Sequence, residues 1–249
     1  MTVGRAKASL ESAAILLRSI PYGESDRVVQ LLTENYGRIS AMVRGGARSR
    51  KRAPGAFEPF HTVRVRMSDH GGELARVDEA ELVVVRGRLV TSLEAMDAAG
   101  KVLRWVRVVC VPRTPEPRAW ALTTHVLDTL EGDPSVDEAV LRARLVWAGL
   151  GLLEIAGVGL VLEGCAVCGA ECPPNRSALV DVARGGVVCR ACGGGPLRID
   201  AATRTAAVLL AAHPDLARVE PPPGRILTDL ERLLASAMGR HELEARPRA

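Results

Sequence analysis

Four of the six cysteines have a spacing that could do chemistry. Cys165-x2-Cys168 is followed, after twenty intervening residues, by Cys189-x2-Cys192. A CxxC turn presents two thiolates to one point, and two such knuckles can converge on a single tetrahedral zinc. Gly169 and Gly193 each follow the second cysteine of a pair, and Gly185-Gly186 permit a tight turn before the second knuckle. Four thiolates close the coordination sphere and leave no position for a water, so the spacing predicts one structural Zn2+ rather than a catalytic one. A disulfide framework is the alternative, and a cytosolic protein argues against it. A dithiol redox centre would need one CxxC at a helix start, not two. Cys172, four residues past Cys168, is an alternative ligand in the first knuckle, and Cys110 in its Val-rich stretch reads as a buried thiol.

A second chemistry lies in residues 22–66. This stretch holds every tyrosine and phenylalanine of the chain, Tyr22, Tyr36, Phe57 and Phe60, and its densest basic run, RGGARSRKR. No acidic residue lies between Glu34 and Glu58. Bases of a single strand have flat π-faces and phosphates carry charge, so aromatic rings among arginines suit single-stranded nucleic acid. The candidate contacts are Arg44, Arg48, Arg50, Lys51 and Arg52, aided by Arg38, Arg64 and Arg66, with Tyr22 and Tyr36 as stacking rings. Phe57 and Phe60 flank Pro59 and are expected to plug a core.

Composition bounds the rest. At 249 residues the chain can bury a sizeable core and divide into two or three units. A net charge of only +4 means that the basic character is local. Lys7, Lys51 and Lys101 are the only lysines among 33 basic residues; arginine suits phosphate, but so lopsided a ratio also follows from genome composition. The opening MTVGRAKASLES is polar and lacks an apolar core region, which predicts a cytoplasmic protein. The most membrane-like run, Leu145 to Leu162, carries Glu154 at its middle and reads as a buried helix ending near Gly157 or Gly159. His241-Glu242 lacks the second histidine of a zinc protease helix. There is no phosphate-loop lysine motif and no nucleophile elbow, so no enzymatic activity is expected.

The elements that must position these residues change character along the chain. Residues 11–80 read as five short strands, ESAAILLRSI, DRVVQLLTE, GRISAMVRG, FHTVRVRMS and GELARVDEAEL, punctuated by turns. Ile39, Ala41 and Val43 alternate with Arg38, Ser40, Met42 and Arg44, and Val63, Val65 and Met67 alternate with Arg64 and Arg66. Five short strands in so few residues fit a closed barrel of the OB type. After Gly87 the period becomes 3.6. Thr91 with Glu94 and Ser135 with Glu138 are expected capping boxes, and Pro117 and Gly132 bound the helix between. Trp105, Trp120 and Trp147, one per helix, are expected in the core. From Asp200 onward the helical pattern resumes and ends in an amphipathic stripe of Ile226, Leu227, Leu230, Leu233, Leu234 and Met238. The fold class expected is α+β multidomain, an N-terminal all-β OB-fold barrel followed by an all-α domain interrupted by a four-cysteine zinc module. The boundaries expected are 1–84 for the barrel and 85–249 for the helical domain, with 163–196 inserted as the zinc-ribbon-like module.

These residues resemble a known family. Tyr22-Gly23-Glu24-Ser25-Asp26, Leu31-Leu32-Thr33-Glu34, Tyr36-Gly37-Arg38-Ile39, Gly45-Gly46-Ala47-Arg48 and Glu58-Pro59-Phe60 carry the likeness at the amino-terminal end. Leu152-Leu153-Glu154, Cys165 to Gly169 and Gly185 to Cys192 carry it further on. Over residues 11 to 242 the chain is similar to the RecO family of bacterial recombination mediators. That resemblance implies an OB-fold, a helical domain with a zinc module, binding of single- and double-stranded DNA, and annealing of complementary strands. It implies RecR and the acidic C-terminal tail of single-stranded-DNA-binding protein as partners, and RecA loading as the outcome, in the cytoplasm at the nucleoid. An RNA- or ribosome-associated adaptor is the alternative, since OB barrels and zinc ribbons also occur together there.

Overall fold

A computed structural model describes residues 8–45 and 55–244. The chain forms two compact units, each assembled from two separate stretches. One combines the first 91 residues with Cys110–Glu131, and the other combines Ser92–Val109 with the chain from Gly132.

The first unit is built on a closed barrel of β1 (Ala8–Tyr22), β2 (Asp26–Thr33), β3 (Gly37–Val43), β4 (Thr62–Asp69) and β5 (Ala75–Val84). The order around the barrel is β1-β2-β3-β5-β4, and only β3 with β5 is parallel. All five expected strands form, in an OB-type arrangement. Burial along β3 alternates strictly, and Ile39, Ala41 and Val43 face inward as their spacing predicts. Leu31, Val63, Val65, Met67 and Val77 complete the interior.

Helix α2 (Pro117–Gly132) belongs to this unit and begins and ends at the residues expected. Three side chains tie its stretch to the strands. Arg38 donates from Nε to the Cys110 carbonyl at 3.1 Å, and Arg113 reaches Asp69 at 2.5 Å. Arg86, 1% exposed, donates to Asp128 on α2, and also to the Phe60 carbonyl and the Thr62 hydroxyl. Gly37 lets the start of β3 approach the main chain of Thr114 closely. Its φ is +68°, and a Cβ there would stand 1.9 Å from the Thr114 carbonyl oxygen, so only glycine fits.

The second unit packs α1 (Leu93–Val109), α3 (Glu138–Ile155), α4 (Ala201–Ala212) and α5 (Gly224–Glu244) around a small sheet. That sheet has the order β7-β6-β8, from β6 (Ala178–Asp181), β7 (Gly186–Val187) and β8 (Leu197–Ile199). Val180, Val187 and Ile199 of the sheet share one core with Val146, Leu210, Leu227 and Leu230 of the helices. The α5 stripe is buried as its period predicts, at Leu227, Leu230, Leu233, Leu234 and Met238.

Local details differ from the sequence pattern. Ser92, not Thr91, caps α1 by accepting from the Ala95 amide, while Thr91 donates to Arg88 at the end of a 3-10 turn. Asp137, not Ser135, caps α3 by accepting from the Ala139 amide. In both cases the capping oxygen lies closer to the helix than the box pattern placed it. All three tryptophans are half-buried rather than central. Trp147 explains its own position, since its indole N–H must reach the His213 carbonyl at 2.8 Å. Among the described residues no helix is long and apolar enough to cross a membrane.

Candidate metal centre and nucleic-acid surface

The two knuckles converge as their spacing predicts. The Sγ atoms of Cys165, Cys168, Cys189 and Cys192 all lie within 4.8 Å of one another, a set that could hold one metal ion. Two main-chain bonds fix the knuckles to the sheet. Ala166 donates to Val187 of β7 at 2.7 Å, and Val188, just before Cys189, donates to Leu179 of β6 at 2.8 Å. Each knuckle closes on a glycine with positive φ, Gly169 at 73° and Gly193 at 98°, where a side chain would be strained.

The local electrostatics favour a cation. Backbone N–H groups, that of Cys189 first and then those of Cys168 and Val167, bring the Cys165 thiol down to about 6. The Cys192 thiol is pushed up to about 12, first by its bond to Cys189 and then by Cys168. The four sulfurs thus share protons through short contacts, and the two ends of the set are shifted in opposite directions. A divalent ion held by Cys165, Cys168, Cys189 and Cys192 would favour the thiolate form of all four. Cys172 lies outside the set. Its sulfur accepts from Arg204, a buried residue of α4 that also donates to the Pro173 carbonyl. Cys110 is buried, and desolvation raises its thiol to about 11, consistent with an inert core residue.

The residues expected at nucleic acid divide into three groups. Arg48, Arg50, Lys51 and Arg52 lie outside the described residues. Arg38, Arg64 and Arg66 are engaged within the barrel unit or flanked by acids. Arg38 makes the Cys110 bond already described. Arg64 stands opposite Glu81, and Arg66 stands between Glu11 and Glu79 and forms an ion pair with Glu79. Reading β4 alone could not reveal this, because the acids come from neighbouring strands.

The third group, Tyr22 and Arg44, joins a surface that the sequence pattern missed. On the outward side of β1, β2 and β3, cross-strand register sets Arg18 beside Gln30 and Ser40, and Ile20 beside Val28 and Met42. Tyr22, 60% exposed, closes β1, and exposed Arg44 follows β3. The Gly45 amide donates to Asp26 at 2.8 Å, which anchors the start of the basic connection to β2. A register shift between Leu16 and Arg18 brings Arg18 and Ile20 onto this face. The unbroken apolar run AAILL concealed that shift. Tyr36, in contrast, is half-buried against the barrel core together with Phe57, and Phe60 is buried.

Comparison with known proteins agrees with this architecture. A family model described as Recombination protein O N terminal matches residues 8–86, and one described as Recombination protein O C terminal matches residues 91–247. The DNA repair protein RecO of Anaeromyxobacter sp. (strain K) is 35% identical over 199 residues, 79% of this chain and 76% of that protein. That of Myxococcus xanthus is 31% identical over 72% of this chain and 71% of its own length. That of Geobacter sulfurreducens is 31% identical over 74% of each. Both halves of the chain match in order and at a level that specifies descent, and the chain belongs to the RecO family of DNA repair proteins.

Proposed function

We propose that this chain is a non-enzymatic mediator of DNA repair and recombination. Its barrel domain, residues 1–84, binds single- and double-stranded DNA, and the protein anneals complementary strands. With RecR, and by engaging the C-terminal tail of single-stranded-DNA-binding protein, it helps load RecA onto coated DNA in the cytoplasm. The observation that carries the DNA reading is the outward face of β1–β3. There an exposed ring, Tyr22, and two exposed arginines, Arg18 and Arg44, border the partly exposed apolar pair Ile20 and Met42. OB barrels commonly use this side for oligonucleotides. The module 163–196, within the second unit, holds one structural zinc. Supporting zinc, a tetrahedron of sulfurs about 2.3 Å from a central ion has edges of about 3.8 Å. Cys168 and Cys189 are 3.8 Å apart.

Tyr22→Ala is expected to weaken single-strand binding by roughly 1–3 kcal/mol, the contribution of one stacked base. An exposed ring adds little to the fold, so the thermal midpoint should hold within a few degrees. Anisotropy titrations paired with melting curves check both, and unchanged affinity would remove Tyr22 from the interface. Competition between matched DNA and RNA oligomers, with RNA preferred, would instead favour the ribosome-associated reading.

The basic connection contributes phosphate contacts in this reading. Engaging roughly four to six charges on a single strand gives a log–log salt slope of about −3 to −4. Changing Arg48, Arg50 and Arg52 together to alanine should flatten that slope by about 2 and weaken binding on every sequence alike. A slope and affinity equal to those of the unaltered protein would place the contacts elsewhere.

A further inference from the structure

The cysteine module carries a cavity of about 430 Å³ beside the metal centre, lined by Cys165, Cys189 and three arginines, Arg176, Arg190 and Arg198. Their positions come from three different segments: the loop before β6, the second knuckle and β8. All three are exposed. Many arginines of this protein are held by carboxylates, including Arg66, Arg76, Arg86, Arg113, Arg142 and Arg225. Among the described residues, the three around the cavity make no such ion pair, and Glu171 is the one acid in the lining.

The first explanation to weigh is that they neutralise the thiolates. Four thiolates around one divalent ion leave net negative charge, and nearby cations offset it. Yet none of the three side chains donates to a ligand sulfur; Cys165 takes its bond from the Cys189 amide at 3.4 Å. Their forks are thus available to an external anion. The lining also includes aliphatic Leu179 and Val188 and no aromatic ring on which a base could stack. Such a lining grips a backbone and ignores bases. Guanidinium forks match phosphate oxygens in pairs, and three of them on separate segments suit the repeated charges of a nucleic-acid strand.

We propose that this cavity on the cysteine module is a second, sequence-independent nucleic-acid contact, in which Arg176, Arg190 and Arg198 hold backbone phosphates. The proposal rests on the DNA-binding reading above and adds a second surface to the barrel face.

The test is a titration of the full chain, zinc-loaded, with oligothymidylate of about 10 nucleotides, the footprint of one barrel. Two classes of site are expected, the tighter lost in the Tyr22→Ala, Arg44→Ala pair and the weaker lost in the Arg176→Ala, Arg190→Ala, Arg198→Ala set. Three phosphate contacts should give the weaker class a salt slope of about −2. Zinc content is read on the same samples. If the alanine set sheds zinc, Arg176→Glu alone, in a loop outside the knuckles, is read instead; it should keep zinc and weaken the second class about tenfold. A single class of site in the unaltered protein, or a second class insensitive to these changes, overturns the proposal and leaves the barrel reading standing. No strand binding at all overturns both. Loss of oligoglutamate binding with both DNA classes intact would make the cavity an acidic-peptide dock and overturn it as well.

Discussion

Cys165→Ser is expected to abolish stoichiometric metal binding and to unfold much more than one knuckle. Serine is a poor ligand in place of a thiolate, and the binding free energy of a structural zinc is folding free energy, about 10–16 kcal/mol in isolated finger peptides. Here the module is not an appendage. Val180, Val187 and Ile199 share a core with Leu210, Leu227 and Leu230, so losing the knuckles opens apolar surface on α4 and α5. Metal analysis should fall from one ion per chain to near zero, and limited proteolysis should cut between residues 163 and 200 before it cuts the barrel. Cys172→Ser is the control. Its sulfur meets Arg204 and not the metal set, so metal content should remain at one per chain. A Cys165→Ser protein that kept its metal would mean that Cys172 can take the vacated position.

Arg86→Leu is expected to cost about 2–6 kcal/mol of barrel stability, roughly 1–3 kcal/mol for each of the two buried acceptors that it leaves unsatisfied. The guanidinium is 1% exposed and serves three acceptors at once. Its Nη1 lies 2.7 Å from the Phe60 carbonyl and 3.0 Å from the Thr62 hydroxyl, and its Nη2 lies 2.7 Å from Asp128. Phe60 has φ of +74°, a conformation that a bulky residue adopts only when its surroundings impose it. Removing Arg86 leaves that carbonyl without its buried partner. Asp128 has a side chain 59% exposed and recovers water when the arginine goes, whereas Asp128→Asn leaves the buried guanidinium without its countercharge and should cost a comparable amount. Denaturant unfolding of the two variants makes the comparison. A nearly neutral Asp128→Asn would show that the Phe60 and Thr62 acceptors, and not the ion pair, set the stability.

Much of this was legible in the sequence wherever the signal was local. Period-two alternation in GRISAMV and HTVRVRM located inward faces residue by residue, and the two CxxC pairs announced their convergence. The same locality set the failures. Whether Arg66 is available to a ligand depends on Glu79, thirteen residues away and adjacent only once β4 and β5 pair. The partners of Arg86 are likewise distant in sequence, so a lone arginine after VVV gave no sign of being the most buried charge in the barrel unit. Arg18 and Ile20 reached the outward face through a register shift that composition does not encode. The caps were missed for a smaller reason, since Thr91 and Ser92 are both good capping residues and only backbone geometry chooses between them.

The interleaving of the two units has a consequence during synthesis. The five barrel strands leave the ribosome by Val84, yet the groups that satisfy Arg86 and the Arg88 and Leu89 amides, Asp128 and Glu131, follow about forty residues later. At roughly 5–20 residues per second this is an interval of seconds. Meanwhile α1 has emerged but packs against α3, which comes later still. A nascent chain therefore holds a barrel with a buried cation still lacking its carboxylate, and an amphipathic helix whose apolar face lacks its neighbour. The order of emergence makes residues 84–131 the window in which a nascent chain most needs a chaperone's cover.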